Sequence, residues 1–383
     1  MTVSIRSLTK RVVRWVATVN KRRMYAFTMF LCFLSGCASP VEKTEVLAPN
    51  PTDVDLLIAN SSVAHLPPLN LSISVFREGN EITSPTHRSK ARVRSAEQKY
   101  LPYSLKETLD RSGFWGAVRV MPKPDLIAEV NITGEILFSN GNELGLRVRA
   151  VDSTGKIWLD RTYHDFAGAL DYLVDPDYRI DPFQDLYDSI SNDLAEKLKV
   201  KTKLERDLLV NIAILKYAKE LSHETFGRFV AEDSGFFVLK GLPAESDPLF
   251  KRVKRLRYSE YLFADSVDEH YRSLYRKIGP TYAWWRHYSH ELIGGNRKLG
   301  TVDAKRGATK GTWYAMERVY KTYKESKMNE DALRELTESF DRETEPTVAD
   351  ISGSIVRLTG TLERQYEDWR RLLQEFYREE VGY

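Results

Sequence analysis

The chain has 383 residues and nearly balanced charge, with 57 Lys and Arg against 54 Asp and Glu and a net charge of +3. Seven of the cations and none of the acids lie in residues 1–36, so the rest of the chain carries a net charge of −4. This balance excludes the basic domain that a general nucleic-acid binder needs. The roughly 350 residues after position 36 are enough for two domains of about 100 to 200 residues each.

The first predicted element is an export signal. A basic amino-terminal part is followed by an apolar run from Met24 to Leu34, and small residues precede Cys37. The run is too short for a transmembrane helix, which needs about 20 apolar residues. Leu34-Ser35-Gly36-Cys37 resembles the lipobox of bacterial lipoproteins. The resemblance implies that Cys37 receives a diacylglyceryl group and that residues 1–36 are a signal peptide removed before it.

Lipidation at Cys37 predicts a membrane-anchored protein. Each buried methylene contributes about 0.8 kcal/mol, so two or more acyl chains give stable anchorage. Ala38 stands where inner-membrane lipoproteins commonly carry Asp, and the resemblance therefore implies the outer membrane, with the protein facing the periplasm. Because Cys32 leaves with the signal peptide and Cys37 carries lipid, we expect no disulfide.

Residues 37–66 are predicted to be a flexible tether, since they hold three prolines and many small polar side chains. Residues 67–200 are predicted to be an α+β domain. The apolar periodicity predicts strands at 69–75, 115–120, 126–137, 144–151 and 156–164, and helices at 95–111 and 184–198. This order predicts a mainly antiparallel sheet with helices on one face.

Two segments of this region carry a pattern found in envelope proteins. One is the apolar strand Pro124–Gly134, and the other is a hairpin with Asp152, Gly155 and Trp158 at its fixed positions. Residues 67–200 thereby resemble the periplasmic α+β domains of the curli-secretion lipoprotein, the penicillin-binding-protein activators and the amino-terminal domain of TolB. The resemblance implies assembly or partner binding and no catalysis.

Residues 201–383 are predicted to be an all-α helical bundle. Asp247-Pro248 has the form of a helix start, and the helix is expected to end before Gly279-Pro280. The other expected helices lie at 204–221, 282–293, 312–325 and 329–340, with a loop or linker at 296–311.

The carboxyl-terminal segment has the most regular apolar pattern. Its steps of three and four predict a heptad-patterned helix, with Thr347 and Asp350 as a capping box. The stripe consists of Val348, Ile351, Ile355, Leu358, Leu362, Gln365, Trp369, Leu372 and Phe376. We expect this helix to pack within the chain, with a homo-oligomeric coiled coil as the alternative.

Three features of the helical half are candidates for chemistry. His287, His290 and Glu291 share a helix face and could bind zinc, but their spacing matches no common zinc-hydrolase pattern, so we expect no metal site. The Trp284-Trp285 pair is expected in a core, with stacking on a glycan as the alternative. His270 is expected at a core boundary.

A cluster of cations begins the predicted helix after Asp247, and it could bind an anionic lipid or an acidic partner, or form a solvated helix face. It consists of Lys251, Arg252, Lys254, Arg255 and Arg257. No glycine-rich phosphate loop and no nucleophile motif is present, so we expect neither a catalytic residue nor a cofactor.

Together these features predict a lipid-anchored, periplasm-facing scaffold or assembly protein of the bacterial cell envelope, without catalysis and without a nucleic-acid partner. We expect an envelope protein as its partner. There are two alternatives. One is an envelope enzyme that acts on cell-wall material, with or without a metal ion, and the other is a peptidoglycan-binding module.

Overall fold

The computed structural model describes residues 54–60, 66–79, 91–124, 127–168, 171–172, 181–303, 311–342, 344–351 and 353–381. The helices are α1 (Ala91–Ser112), α2 (Gln184–Lys199), α3 (Lys203–Leu221), α4 (His223–Phe226), α5 (Pro248–Asp303), α6 (Gly311–Arg342) and α7 (Leu362–Val381). The strands are β1 (Leu71–Ser74), β2 (Arg77–Glu78), β3 (Val118–Met121), β4 (Val130–Ser139), β5 (Glu143–Asp152), β6 (Ile157–Phe166), β7 (Val230–Asp233), β8 (Phe236–Leu239), β9 (Thr347–Ile351) and β10 (Ser354–Leu358).

One sheet has the strand order β3-β1-β4-β5-β6, and β2 pairs with β4 beside this path. The long ladders, between β4 and β5 and between β5 and β6, are antiparallel. β1 runs parallel to both β3 and β4, and β2 runs parallel to β4. The predicted α+β fold with a mainly antiparallel sheet is confirmed, and the short parallel pairings are an addition to it.

Helix α1 lies between the sheet and the other helices. One side of it packs on the sheet, where Leu101 and Leu105 are buried together with Ile73 and Ile132. It also contacts α2, α5 and α6. The opposite face of the sheet carries exposed polar side chains such as Arg147. At β5 and β6 the sheet therefore has one exposed face, as expected, whereas every residue of β1 and β3 is buried, so these two strands are covered on both faces.

The two halves of the chain share their cores. Leu274 and Ile278 of α5 are buried in the cluster that contains the sheet, and Val120 of β3 is buried in the cluster that contains Trp369 of α7. The described residues from 54 onward accordingly belong to one compact unit. The boundary expected near residue 200 falls in the short connection between the helices α2 and α3, and buried residues from both sides of it occur in each core.

Part of the predicted tether is attached to this unit. The backbone N of Leu57 donates to Oδ1 of Asn192 at 2.8 Å, and that of Ala59 donates to the carbonyl of Ser112 at 2.8 Å. Both apolar side chains also pack against the core. Residues 54–60 are thus held in place, whereas residues 37–53 lie outside the described residues.

α5 runs through both of its expected breaks. It contains Pro280 and continues past Gly294 to Asp303. Proline inside a helix costs about 3 kcal/mol, but Ile278 and Tyr282 on either side of it are buried, and this packing keeps the helix continuous. α6 is likewise one helix where two were predicted. The part of the expected linker at 304–310 lies outside the described residues.

The predicted heptad-patterned helix is wrong over its first half. β9 and β10 form an antiparallel hairpin, so Thr347 and Asp350 are strand residues and not a capping box. Gly353 in the turn has a φ of +93°, which glycine adopts without strain. Ile355 is 79% exposed. The apolar residues of the two short strands happen to be spaced three and four positions apart, which is the spacing that predicts a helix.

α7 forms the second half of that segment, and its apolar side packs within the chain. Leu362 is 1% exposed, and the ring of Trp369 stacks on Phe263 of α5 with centroids 4.8 Å apart. Gln365, the polar position of the stripe, donates to the carbonyl of Gly360 at 3.0 Å and accepts from the backbone N of Thr347 at 3.1 Å. It thereby ties the hairpin to the helix.

Candidate functional site

The predicted lipidation site, Cys37, and the signal peptide before it lie outside the described residues. Among the residues that the structure describes, no helix combines the length and apolar character needed to cross a membrane.

The predicted cationic cluster divides into buried and exposed members. Arg257 is buried, and its Nη2 lies 3.0 Å from Oε1 of Glu129 and 2.8 Å from the carbonyl of Ile127. Arg252 forms an ion pair with Glu380, near the end of α7. These two cations join α5 to neighbouring elements and are not offered to a partner.

The remaining cations belong to an exposed surface that we call the basic stripe. It consists of Lys251, Lys254, Arg255, Tyr258 and Leu262, all exposed on α5. Steps of three and four place these side chains on one side of the helix. The stripe therefore combines three positive charges with two apolar groups in about three turns of helix.

The histidines of the aromatic segment have separate partners. Nε2 of His287 lies 3.3 Å from a carboxylate oxygen of Glu291, and Nδ1 of His290 lies 2.8 Å from Oδ1 of Asn142. Burial and the neighbouring His287 lower the pKa of His290, so this ring is neutral at pH 7. The described residues contain no group of three His, Cys, Asp or Glu side chains that could hold a metal ion.

The two tryptophans lie in different surroundings. Trp285 is buried and stacks on Tyr282, with ring centroids 5.5 Å apart. Trp284 is 44% exposed and stacks on Tyr288 at 5.7 Å, with an angle of 25° between the rings. The expected core position thus holds for one tryptophan of the pair.

His270 lies at a boundary, as expected, in a groove of about 540 Å³ between α5, α6 and β9. Its Nε2 is 3.2 Å from Oγ1 of Thr347, and burial lowers its pKa. The ring joins α5 to the start of the β9–β10 hairpin.

The hairpin pattern around Asp152 has a structural explanation. One carboxylate oxygen of Asp152 accepts from the backbone N of Thr154 at 2.9 Å and of Lys156 at 3.1 Å, and the other accepts from Nε1 of Trp158 at 2.8 Å. The aspartate, threonine and tryptophan of the pattern therefore form and fix the β5–β6 turn. They are not arranged as a reaction centre.

The structure also contains a cavity that the sequence did not indicate. It has a volume of about 250 Å³ and is lined by side chains from α1, the loop after β6, the start of α2, and α5. We call it the tyrosine pocket. Its principal lining residues are Tyr100, Tyr172, Tyr275, Tyr282, Asp181 and Arg286.

The turn between β4 and β5 fixes one wall of the tyrosine pocket. A Cβ at Gly141 would lie 2.2 Å from the backbone N of His290, so only glycine lets this turn reach α5. The carbonyl of Gly141 accepts from the hydroxyl of Tyr172 at 2.6 Å. Tyr100 stacks on Tyr275 with centroids 4.6 Å apart. The wall is therefore preformed by packing.

Arg286 is the charged group at the base of the tyrosine pocket, and it is 1% exposed. Its guanidinium lies over the rings of Phe183, at 4.3 Å, and Tyr282, at 4.6 Å. Burial by itself lowers the pKa of Arg286, but the surrounding Tyr282 and Asp181 raise it above its ordinary value. The side chain is therefore a permanent cation.

The sequence does not indicate this pocket, because its walls come from four separate parts of the chain. Arg286 lies inside the aromatic segment whose histidines and tryptophans are the candidates for metal or glycan binding. The one available signal was the spacing of Tyr275, Tyr282 and Arg286, which places the three side chains near one face of a helix.

Comparisons of the chain with known protein families, curated proteins and solved structures find no match.

Proposed function

We propose that this chain is a lipid-anchored, periplasm-facing scaffold or assembly protein of the bacterial outer membrane, without catalysis. The observation that carries the proposal is the leader, in which a basic segment and a short apolar run end at Leu34-Ser35-Gly36-Cys37. Lipid at Cys37 holds the following residues at a membrane surface.

The shape of the helical half supports the scaffold role. At 1.5 Å per residue, the 56 residues of α5 and the 32 of α6 extend about 84 Å and 48 Å. The two helices contact each other and offer a long, stiff surface. The basic stripe on α5 fits an acidic patch of an envelope protein, because its three cations attract carboxylates and the tyrosine and leucine in the next turn of the helix supply apolar contact.

Substitution of the lipidated cysteine tests the anchor. Cys37→Ser should leave an uncleaved precursor or move the protein out of the outer-membrane fraction, and it should abolish incorporation of labelled fatty acid. A variant that is processed normally and still fractionates with the outer membrane would contradict the proposal.

Charge reversal in the basic stripe tests the partner surface. The double change Lys251→Glu and Arg255→Glu should remove a protein that the lipidated parent captures in crosslinked envelopes. Lys324→Glu with Arg334→Glu, two exposed cations of α6, is the matched control and should leave capture unchanged. Equal capture by all three proteins would mean that the stripe binds no partner.

The glycan-binding alternative is favoured by one observation, the exposed stack of Trp284 and Tyr288. Two adjacent aromatic faces can stack on sugar rings. If the alternative holds, the parent should sediment with purified peptidoglycan sacculi and Trp284→Ala should not. Sedimentation of both proteins to the same extent would exclude this role for the stack.

A further inference from the structure

The tyrosine pocket contains a buried cation whose hydrogen-bonding capacity is only partly used. Nη2 of Arg286 donates to the hydroxyl of Tyr282 at 2.5 Å. Its Nε and Nη1 are buried and have no hydrogen-bond partner among the residues that the structure describes. A buried charged donor without an acceptor is unfavourable, so an acceptor group from a ligand would be stabilising at this position.

The pocket also contains charges of the opposite sign. The carboxylates of Glu107, Asp171 and Asp181 line it together with the guanidinium groups of Arg111 and Arg286. A ligand that is only an anion meets three carboxylates, and one that is only a cation meets two guanidinium groups. A small molecule that carries both charges can place each of them near groups of opposite sign.

Size and surface restrict the ligand further. A cavity of about 250 Å³ is smaller than the sites of drug-sized ligands, which typically begin at about 300 Å³, so its ligand is smaller than a drug-sized molecule. The rings of Tyr100, Tyr275 and Tyr282 give it flat apolar faces. Such faces accept an apolar side chain and also attract an ammonium group.

We propose that the tyrosine pocket binds a free amino acid or a short peptide, with the ligand carboxylate at Arg286 and its ammonium group toward Glu107, Asp171 and Asp181. This site does not rest on the lipid anchor or on the basic stripe. It would give the protein a small-molecule ligand in addition to its proposed protein partner.

Calorimetry and thermal unfolding of the full chain in detergent test the proposal. The probes are the twenty amino acids and the dipeptides Ala-Ala and Gly-Gly, each at millimolar concentration. At least one should raise the melting temperature and give a measurable heat of binding. If none of them does, the proposal is wrong.

The charges of the best probe are then removed one at a time. Its amine without the carboxylate, and its acid without the amine, should each bind at least about tenfold more weakly, the change expected for one lost charged hydrogen bond. Equal affinity of the acid without the amine would identify a plain anion site and overturn the proposal.

Two substitutions locate the binding. Arg286→Lys keeps the charge but loses the planar donors, and it should weaken binding by about tenfold or more. Glu107 is exposed, so Glu107→Gln should fold normally and weaken binding by about fivefold. The matched control is Glu196→Gln on α2, whose carboxylate pairs with Lys199 away from the pocket lining, and its affinity should equal that of the parent. A Glu107→Gln protein that binds as well as this control would contradict the assigned position of the ammonium group.

Discussion

The β5–β6 hairpin is stabilised by contacts between residues close together in the sequence, whereas helix α5 is stabilised by contacts with residues far away in the sequence. In the hairpin, Asp152 accepts hydrogen bonds from Thr154, Lys156 and Trp158, all within six residues of it. In α5, the continuity across Pro280 depends on packing against segments far away in the chain. Local sequence patterns therefore located the first element well and misplaced the end of the second.

The buried ion pair between Glu129, which directly precedes β4, and Arg257 of α5 joins the sheet to the helical half. Breaking this pair should have the largest effect on stability. Oε1 of Glu129 lies 3.0 Å from Nη2 of Arg257 on α5, and Oε2 accepts from the backbone N of Asn70. Glu129→Gln leaves a buried cation without its counter-charge, which typically costs about 3 to 5 kcal/mol. Chemical denaturation followed by far-ultraviolet circular dichroism measures this loss.

The same experiment tests whether the two halves unfold together. Because both halves share cores, strand and helix signals should be lost in one transition in parent and variant. Arg147→Ala, which removes an exposed pair with Asp160, is the control and should cost less than about 1 kcal/mol. A first transition that affects only the helices would mean that the halves are independent domains.

The carboxyl-terminal stripe can be tested at two positions seven residues apart. Leu362→Ala should cost about 3 kcal/mol, since the side chain is buried against the core. Ile355→Ala should change stability by less than about 0.5 kcal/mol, since Ile355 is an exposed strand residue. A continuous heptad helix predicts similar losses at both positions, so equal melting temperatures of the two variants would favour that helix over the hairpin.

This contrast shows how far the sequence could predict the fold and the site. Strands β1 and β3 to β6 and the starts of α2, α3 and α5 were predicted to within a few residues because alternation, Asp152 and the cap at Asp247 act locally. Strand β2 and the β7–β8 hairpin, which lies in the half predicted to be all-α, were not predicted. The β9–β10 hairpin was not predicted either, since Gln365 and the core it joins decide its position. The tyrosine pocket was missed for the same reason: its charges and rings meet only after α1 and α5 have packed.

Asp268 offers a test of the contact between α5 and the sheet through pH. Its carboxylate accepts from the backbone N of Val120 at 2.8 Å and lies 3.6 Å from Nζ of Lys106. Burial raises the pKa of Asp268 from 3.8 to about 6, although Lys106 opposes the change. A folded-state pKa above the unfolded value gives stability that is fully present below about pH 4 and is lost as the pH rises through about 6.

Asp268→Asn removes this titration while keeping an acceptor for Val120. The free energy of unfolding of the parent, relative to the variant, should therefore fall by about 2 kcal/mol between pH 4 and pH 7. Urea unfolding of both proteins at the two pH values measures it. A difference that does not change with pH would show that Asp268 does not titrate in this range.

Apart from the control substitutions, the smallest loss of stability is expected at a local feature within the helical half, the start of α3. Oγ1 of Thr202 accepts from the backbone N of Glu205 at 3.3 Å, and a carboxylate oxygen of Glu205 accepts from the backbone N of Thr202 at 2.8 Å. Thr202→Ala should cost about 1 kcal/mol, the usual effect of losing a helix cap, and Thr202→Ser should restore most of it. The loss should stay this small because Leu209, Ile212 and Leu215 hold the rest of α3 in the cores. Thermal unfolding of the three proteins decides it, and a loss as large as that of Leu362→Ala would mean that even this cap depends on distant packing.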